Sequence, residues 1–157
     1  MYEKILVPLD GSNLAEAILP HVEGLARHYG SSIILLQVLE LPHLVGLPRS
    51  SGFDALPEMT PAEMNRHISD AQNYLEGLVG RLGEKGISAT GRVEYGPIVA
   101  SIMRAARQEN VSLIAMASHG RGGLTDVYYG SVAAGVLQRI DRPLLIVRAN
   151  DFNSYPE

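Results

Sequence analysis

Residues 113–123 read Leu113-Ile114-Ala115-Met116-Ala117-Ser118-His119-Gly120-Arg121-Gly122-Gly123. Five apolar residues without polar alternation run straight into a turn holding three glycines. A short continuous apolar run of this kind suits a strand covered on both faces, as in a parallel sheet with helices above and below. Working outward, three further runs share the pattern: Ile5-Leu6-Val7, Ile33-Ile34-Leu35-Leu36 and Leu144-Leu145-Ile146-Val147. A fifth, weaker strand is expected around Ser88 to Glu94.

Between these runs the apolar period changes to that of helices. Thr60-Pro61-Ala62-Glu63 combines a capping hydroxyl, Pro at the first helical position and Glu at the third, which is the sequence of a capping box. Met64, Ile68, Ala71, Leu75, Leu78 and Leu82 follow in steps of four and three, so one face stays apolar up to Gly83 and Gly86. Gly96-Pro97 opens another helix with Ile98, Ile102, Ala105 and Ala106 inward and Asn110 as its stop. A further helix starts near Gly130-Ser131, is expected to bury Val132, Val136, Leu137 and Ile140, and ends before Pro143. The earliest helix, about Ser12 to Tyr29, carries Pro20 inside it, where a kink is expected, and Gly30 closes it as a left-handed cap. The order β-α-β-α-β-α-β-α-β, joined by right-handed crossovers, packs as a doubly wound parallel α/β sheet.

The 157 residues are the size of one domain, and 46% hydrophobic against 19% charged residues is ordinary for a globular core. One domain over 1–150 and a C-terminal tail over 151–157 are expected. A formal charge of −4 argues against nucleic acid, whose binding needs clustered Lys and Arg. Cysteine is absent, which removes disulfides, thiolate metal sites and thiol nucleophiles. The N-terminus has no basic leader followed by a long apolar stretch, and no run approaches membrane-spanning length, so a cytoplasmic protein is expected. The Pro- and Gly-rich stretch from Glu40 to Met59 is long for a loop in a compact domain. It is either a surface excursion without ligand role or a flap over a ligand.

Ligands of open α/β sheets bind beyond the carboxyl ends of the strands, where strand order reverses. Two loops lie at such ends: Pro8-Leu9-Asp10-Gly11-Ser12-Asn13, and the glycine turn at 118–123 followed by Gly130-Ser131 at a helix start. Glycines allow close backbone approach to a phosphate, and a helix N-terminus offers unpaired N–H groups, so together they make an anion cradle. Neither common phosphate signature, G-x-x-x-x-G-K-[ST] or a G-x-G-x-x-G between the first strand and helix, is present. Ser131 also reads as an N-cap and Asp10 as a turn residue ahead of the first helix. His119 has no identifiable nucleophile and orienting acid around it, so it reads as structural or ligand-adjacent rather than catalytic. The five histidines show no metal-ligand spacing, and no protein-built metal site is proposed.

Ala117-Ser118-His119-Gly120, nine further residues and Gly130-Ser131 closely resemble the G-x2-G-x9-G-[ST] element of universal stress proteins, with Ala117 in place of the first glycine. The opening strand with Pro8 and Asp10, the Gly96-Pro97 helix start and the segment Arg142-Pro143-Leu144-Leu145-Ile146-Val147 are similar to the same family. The resemblance implies a Rossmann-like five-stranded parallel sheet of order 3-2-1-4-5 that binds ATP or AMP between strands one and four. It implies a nucleotide site of Pro8, Asp10, Val38, Met116, Ala117, His119, Gly120, Arg121, Gly130, Ser131 and Val132. Asp10 would meet the adenosine portion, Val38 would flank the base, and Gly120, Gly130, Ser131 and Val132 would surround ribose and phosphates. Magnesium would arrive with the phosphates. The resemblance further implies a homodimer paired through the last strand, Leu144–Val147, acting in stress response or signalling, with at most slow ATP hydrolysis. Ala117 and the missing P-loop lysine leave a non-nucleotide interaction protein of the same fold as the alternative.

Overall fold

The computed structural model describes residues 1–40, 43–44, 58–119 and 130–149. Five strands form one sheet: β1 (Lys4–Leu9), β2 (Ser32–Leu39), β3 (Ala89–Tyr95), β4 (Leu113–Ala117) and β5 (Leu144–Val147). Their spatial order is β3-β2-β1-β4-β5 and every pairing is parallel. The order reverses between β1 and β4. The register pairs Ile5 with Ile33 and with Leu113, and Ile114 with Leu144. The expected fold and strand order are therefore present, and the weak fifth strand lies one residue further along than its sequence suggested.

The continuous apolar runs arise because both sheet faces are covered. Alternate side chains point to opposite faces. Ile5, Val7, Leu9, Ile33, Leu35, Leu113 and Ala115 pack with Val22 of α1 (Leu19–Tyr29) and with Leu75, Leu78 and Leu82 of α2 (Pro61–Glu84). Leu6, Ile34, Leu36, Ile114 and Met116 pack with Ile102, Met103, Ala105 and Ala106 of α3 (Ile98–Gln108) and with Ala133 and Val136 of α4 (Ser131–Arg139). A two-residue parallel pair, His43–Leu44 with Glu58–Met59, stands apart from the main sheet. The remainder of the expected long loop, 41–42 and 45–57, lies outside the described residues, and so does the tail from 150.

Helix α2 starts as its sequence requires. Thr60 Oγ1 accepts the Glu63 N–H at 3.2 Å, and Glu63 Oε2 accepts the Thr60 N–H at 2.7 Å and its hydroxyl at 2.9 Å. Those bonds, the backbone one first, hold the Glu63 carboxyl below its usual range. Thr60→Ala is expected to lower the unfolding free energy by about 1 kcal/mol, the usual worth of a cap, as measured by denaturant titration. An unchanged midpoint would show that the box adds nothing.

Two expectations fail for identifiable reasons. Residues 15–18 form a 3-10 turn and α1 begins at Leu19, so Pro20 sits in the first helical turn and produces no internal kink. There its missing N–H would have had no intrahelical partner. Gly30 does close the helix, with φ 69°. In α4, Leu137 is 48% exposed while Ala133 is 2% exposed. The period marked an apolar stripe wider than the face the sheet covers; Val132 and Ile140 are half-buried and only Val136 of the expected set is fully enclosed.

Candidate functional site

A cavity of about 980 Å³ opens at the carboxyl ends of the strands, around the point where strand order reverses. Pro8, Asp10, Val38, Met116, Ala117, His119, Gly130, Ser131 and Val132 all line it. Gly120 and Arg121, the other two residues of the expected site, lie outside the described residues. The two turns singled out in the sequence thus border one space.

The β1 turn is built by its own side chains. Gly11 has φ 83°, a conformation that glycine takes without steric cost. Asp10 Oδ1 accepts the Ser12 N–H at 2.9 Å and the Ser12 hydroxyl at 2.6 Å, and Ser12 Oγ accepts the Ala15 N–H at 3.2 Å. Asp10 therefore holds the turn ahead of α1 and is also a residue of the cavity wall.

The opposite wall is the start of α4. Its N-cap is Gly130, with φ −65° and ψ 165°, and no side chain caps it. The capping expected of Ser131 does not occur; Ser131 is the first helical residue and is exposed. Gly130 N donates to Ser118 O at 2.7 Å and Ala134 N to Gly130 O at 3.0 Å. The N–H groups of Ser131, Val132 and Ala133, all residues of the cavity wall, fall among the first helical donors that have no intrahelical partner. Donors without an intrahelical partner and the helix dipole favour a negative group at that end. Ala117 ends β4 paired with Val147 and is 5% exposed, so its extra methyl takes little of the opening.

Polarity varies across the cavity. Its acidic residues are Asp10 just after β1, Glu40 just after β2 and Asp70 in α2. Leu36, Val38, Ile98, Ile102, Met116 and Val132 supply apolar wall. Among the described lining residues there is no Lys or Arg. No group of three or more His, Asp or Glu among the described residues is arranged to hold a metal ion.

Met64 and Ala71, expected only on the core face of α2, also border the space, and so do His67, Asp70 and Tyr74, which no sequence pattern singled out. The half-buried state of Met64 and Ile68, against full burial of Leu75, Leu78 and Leu82, marks where the helix passes from the sheet to the cavity rim. Tyr74 donates its hydroxyl to Glu16 Oε1 at 2.9 Å, and Arg81 meets Glu16 Oε2 at 3.3 Å, tying this wall to the turn before α1. Burial first, then the hydrogen bond and charge of Glu16, hold the Tyr74 phenol well above its usual value. Because the folded value is the higher one, the associated stability is whole below about pH 10, the unfolded phenol value, and drains as pH rises past it. Tyr74→Phe should therefore lose less stability than the parent between about pH 8 and about pH 10.5, compared by denaturant unfolding. Equal losses would contradict it.

The chain is a doubly wound α/β domain whose helix start at Gly130 and turn at Asp10 border one cavity at the strand-order reversal, the place where open sheets of this class bind ligands. The sequence matches the Universal stress protein family model over residues 1–148, and the chain belongs to that family. It is 29% identical to Universal stress protein MJ0577 of Methanocaldococcus jannaschii, covering 94% of this chain and 96% of that one. The solved structure of MJ0577 superposes with a TM-score of 0.77 and 26% identity, over 96% of this chain and 99% of that chain. Universal stress protein YxiE of Bacillus subtilis is 30% identical over 94% of this chain and 100% of its own length. A universal stress protein from Archaeoglobus fulgidus, solved in complex with dAMP, shares the fold at a TM-score of 0.63 and 19% identity, over 92% of this chain and 97% of that chain.

Proposed function

We propose that this chain binds an adenine nucleotide, AMP or ATP, in the cavity at the strand ends and serves as a homodimeric stress-response or signalling module of the cytoplasm. The carrying observation is that an uncapped α4 N-terminus shares one cavity with the acidic residues Asp10, Glu40 and Asp70 and with apolar wall residues. A nucleotide has matching groups: an anionic phosphate for the helix donors, a flat base for the apolar wall, and ribose hydroxyl and base amine donors for carboxylates. Asp10 meets the adenosine portion, Val38 flanks the base, and Gly120, Gly130, Ser131 and Val132 surround ribose and phosphates, with Mg2+ carried in on the phosphates. The dAMP complex of the Archaeoglobus fulgidus family member supports the same ligand class. What supports the dimer is β5, an edge strand whose four apolar residues are only half-buried. Such an edge is an aggregation hazard unless covered, and a second copy covers it.

Calorimetry of the full chain with AMP and with ATP tests the ligand. Saturable heat at one site per chain is expected. No heat and no thermal shift at millimolar nucleotide would favour an interaction protein of the same fold, a reading that gains from the lack of Lys and Arg among the described lining residues.

A further inference from the structure

Ser118 is 2% exposed and sits where three parts of the fold converge. Its backbone N–H donates to Val147 O at 2.8 Å, at the end of edge strand β5, and its carbonyl accepts the Gly130 N–H at 2.7 Å, at the start of α4. Its Oγ accepts the Ala149 N–H at 3.2 Å and lies 2.8 Å from Nδ1 of His119, a residue only 9% exposed in the cavity wall.

The roles in the last pair follow from donor counting. A hydroxyl has one hydrogen to give, and a buried one is costly if left without an acceptor. Since Ala149 supplies a donor to Oγ, the Ser118 hydrogen has to go elsewhere, and among the described residues the acceptor in reach is His119 Nδ1. The ring is then neutral with its proton on Nε2, because the partner of one nitrogen fixes the other. The Cδ2 edge of that ring, next to Nε2, faces Gly130: a Cβ placed on Gly130 would lie 3.9 Å from it.

We propose that Ser118 is a positioning residue of the nucleotide site, fixing the tautomer and seat of His119 beside the α4 terminus and linking that seat to the backbone just after β5. The ligand half of this rests on the nucleotide reading above; the tautomer half does not. Occupancy of the cavity and the hold on Ala149 are then joined by one hydrogen-bonded chain, and any coupling between them is reciprocal.

Two readouts on the full chain test it. The first is the protonation pattern of the His119 ring nitrogens, from long-range proton–nitrogen NMR correlations without ligand. The parent should show Nε2 protonated and Nδ1 bare, and Ser118→Ala should show a larger fraction with Nδ1 protonated. The second is AMP affinity by calorimetry. Ser118→Ala should bind about tenfold more weakly, a factor equivalent to ~1.4 kcal/mol, and Ala149→Pro, which removes only the donor beyond β5, should weaken AMP severalfold while keeping Nε2 protonated. Ala149→Pro lies away from the cavity wall and keeps the test decisive if Ser118→Ala folds poorly. A parent ring protonated on Nδ1, or parent-like AMP affinity in both variants, would overturn the proposal. A parent that shows the expected tautomer yet binds no nucleotide would refute the nucleotide reading and the ligand half of the proposal, leaving the ring-setting role supported.

Discussion

Gly130→Val should weaken AMP binding about a hundredfold or more, equivalent to ~3 kcal/mol, in a protein that remains folded. From sequence alone the expected cause is a branched side chain standing in the phosphate path. The structure supplies a different one. Gly130 has ordinary extended φ and ψ, so no backbone strain attends the change. A Cβ there would lie 3.1 Å from the Ser118 carbonyl oxygen and 3.6 Å from His119 Cα. Valine adds two methyls beyond that crowded point, so either the α4 terminus or the 118–119 turn has to shift. Both border the cavity, and donors aimed at an anion lose strength steeply when their direction changes. Gly130→Ala should fall between parent and valine. Calorimetry with AMP, beside circular dichroism to confirm folding, checks the series; undiminished affinity in a folded valine variant would refute it.

The largest stability loss is expected at Ile114→Ala, about 2–5 kcal/mol, the range for removing a buried branched side chain and leaving a cavity. Ile114 is fully buried in β4, paired with Leu6 and Leu144 and packed in the cluster that α3 and α4 cover. Strands on both sides and helices above leave little freedom for collapse around the gap. Leu137→Ala is the matched control: at 48% exposure it should cost within about 0.5 kcal/mol, the usual range for surface changes. Denaturant unfolding of the two variants separates them. Similar losses would mean that the α4 face has been assigned wrongly.

The strands were legible because a doubly covered strand has a signature that needs no tertiary knowledge: the Leu113–Ala117 run is the element itself. The α2 start was legible for a like reason, since its capping box is made from neighbours in sequence. What failed required knowledge of what lies opposite. The period of α4 identifies an apolar stripe but not its covered width, hence Leu137; Pro20 was misjudged because the preceding 3-10 turn postpones the true helix start.

The site divides along the same line. Asp10, Gly130 and their neighbours stood out because strand ends, glycines and helix starts are local features. His67, Asp70 and Tyr74 did not, because they lie beside the apolar stripe of α2, and a polar flank reads the same whether it borders solvent or a cavity. The bond from Ala149 to Ser118 joins positions 31 residues apart and has no sequence signal at all.

Titration of AMP into the isotopically labelled chain, followed by backbone amide shifts, tests most directly whether the two turns share one ligand. Saturating shifts at Asp10, Gly11, Ser118, Gly130 and Ser131, with one common dissociation constant, are the predicted result. Shifts confined to one turn, or none at either turn at millimolar AMP, would contradict it.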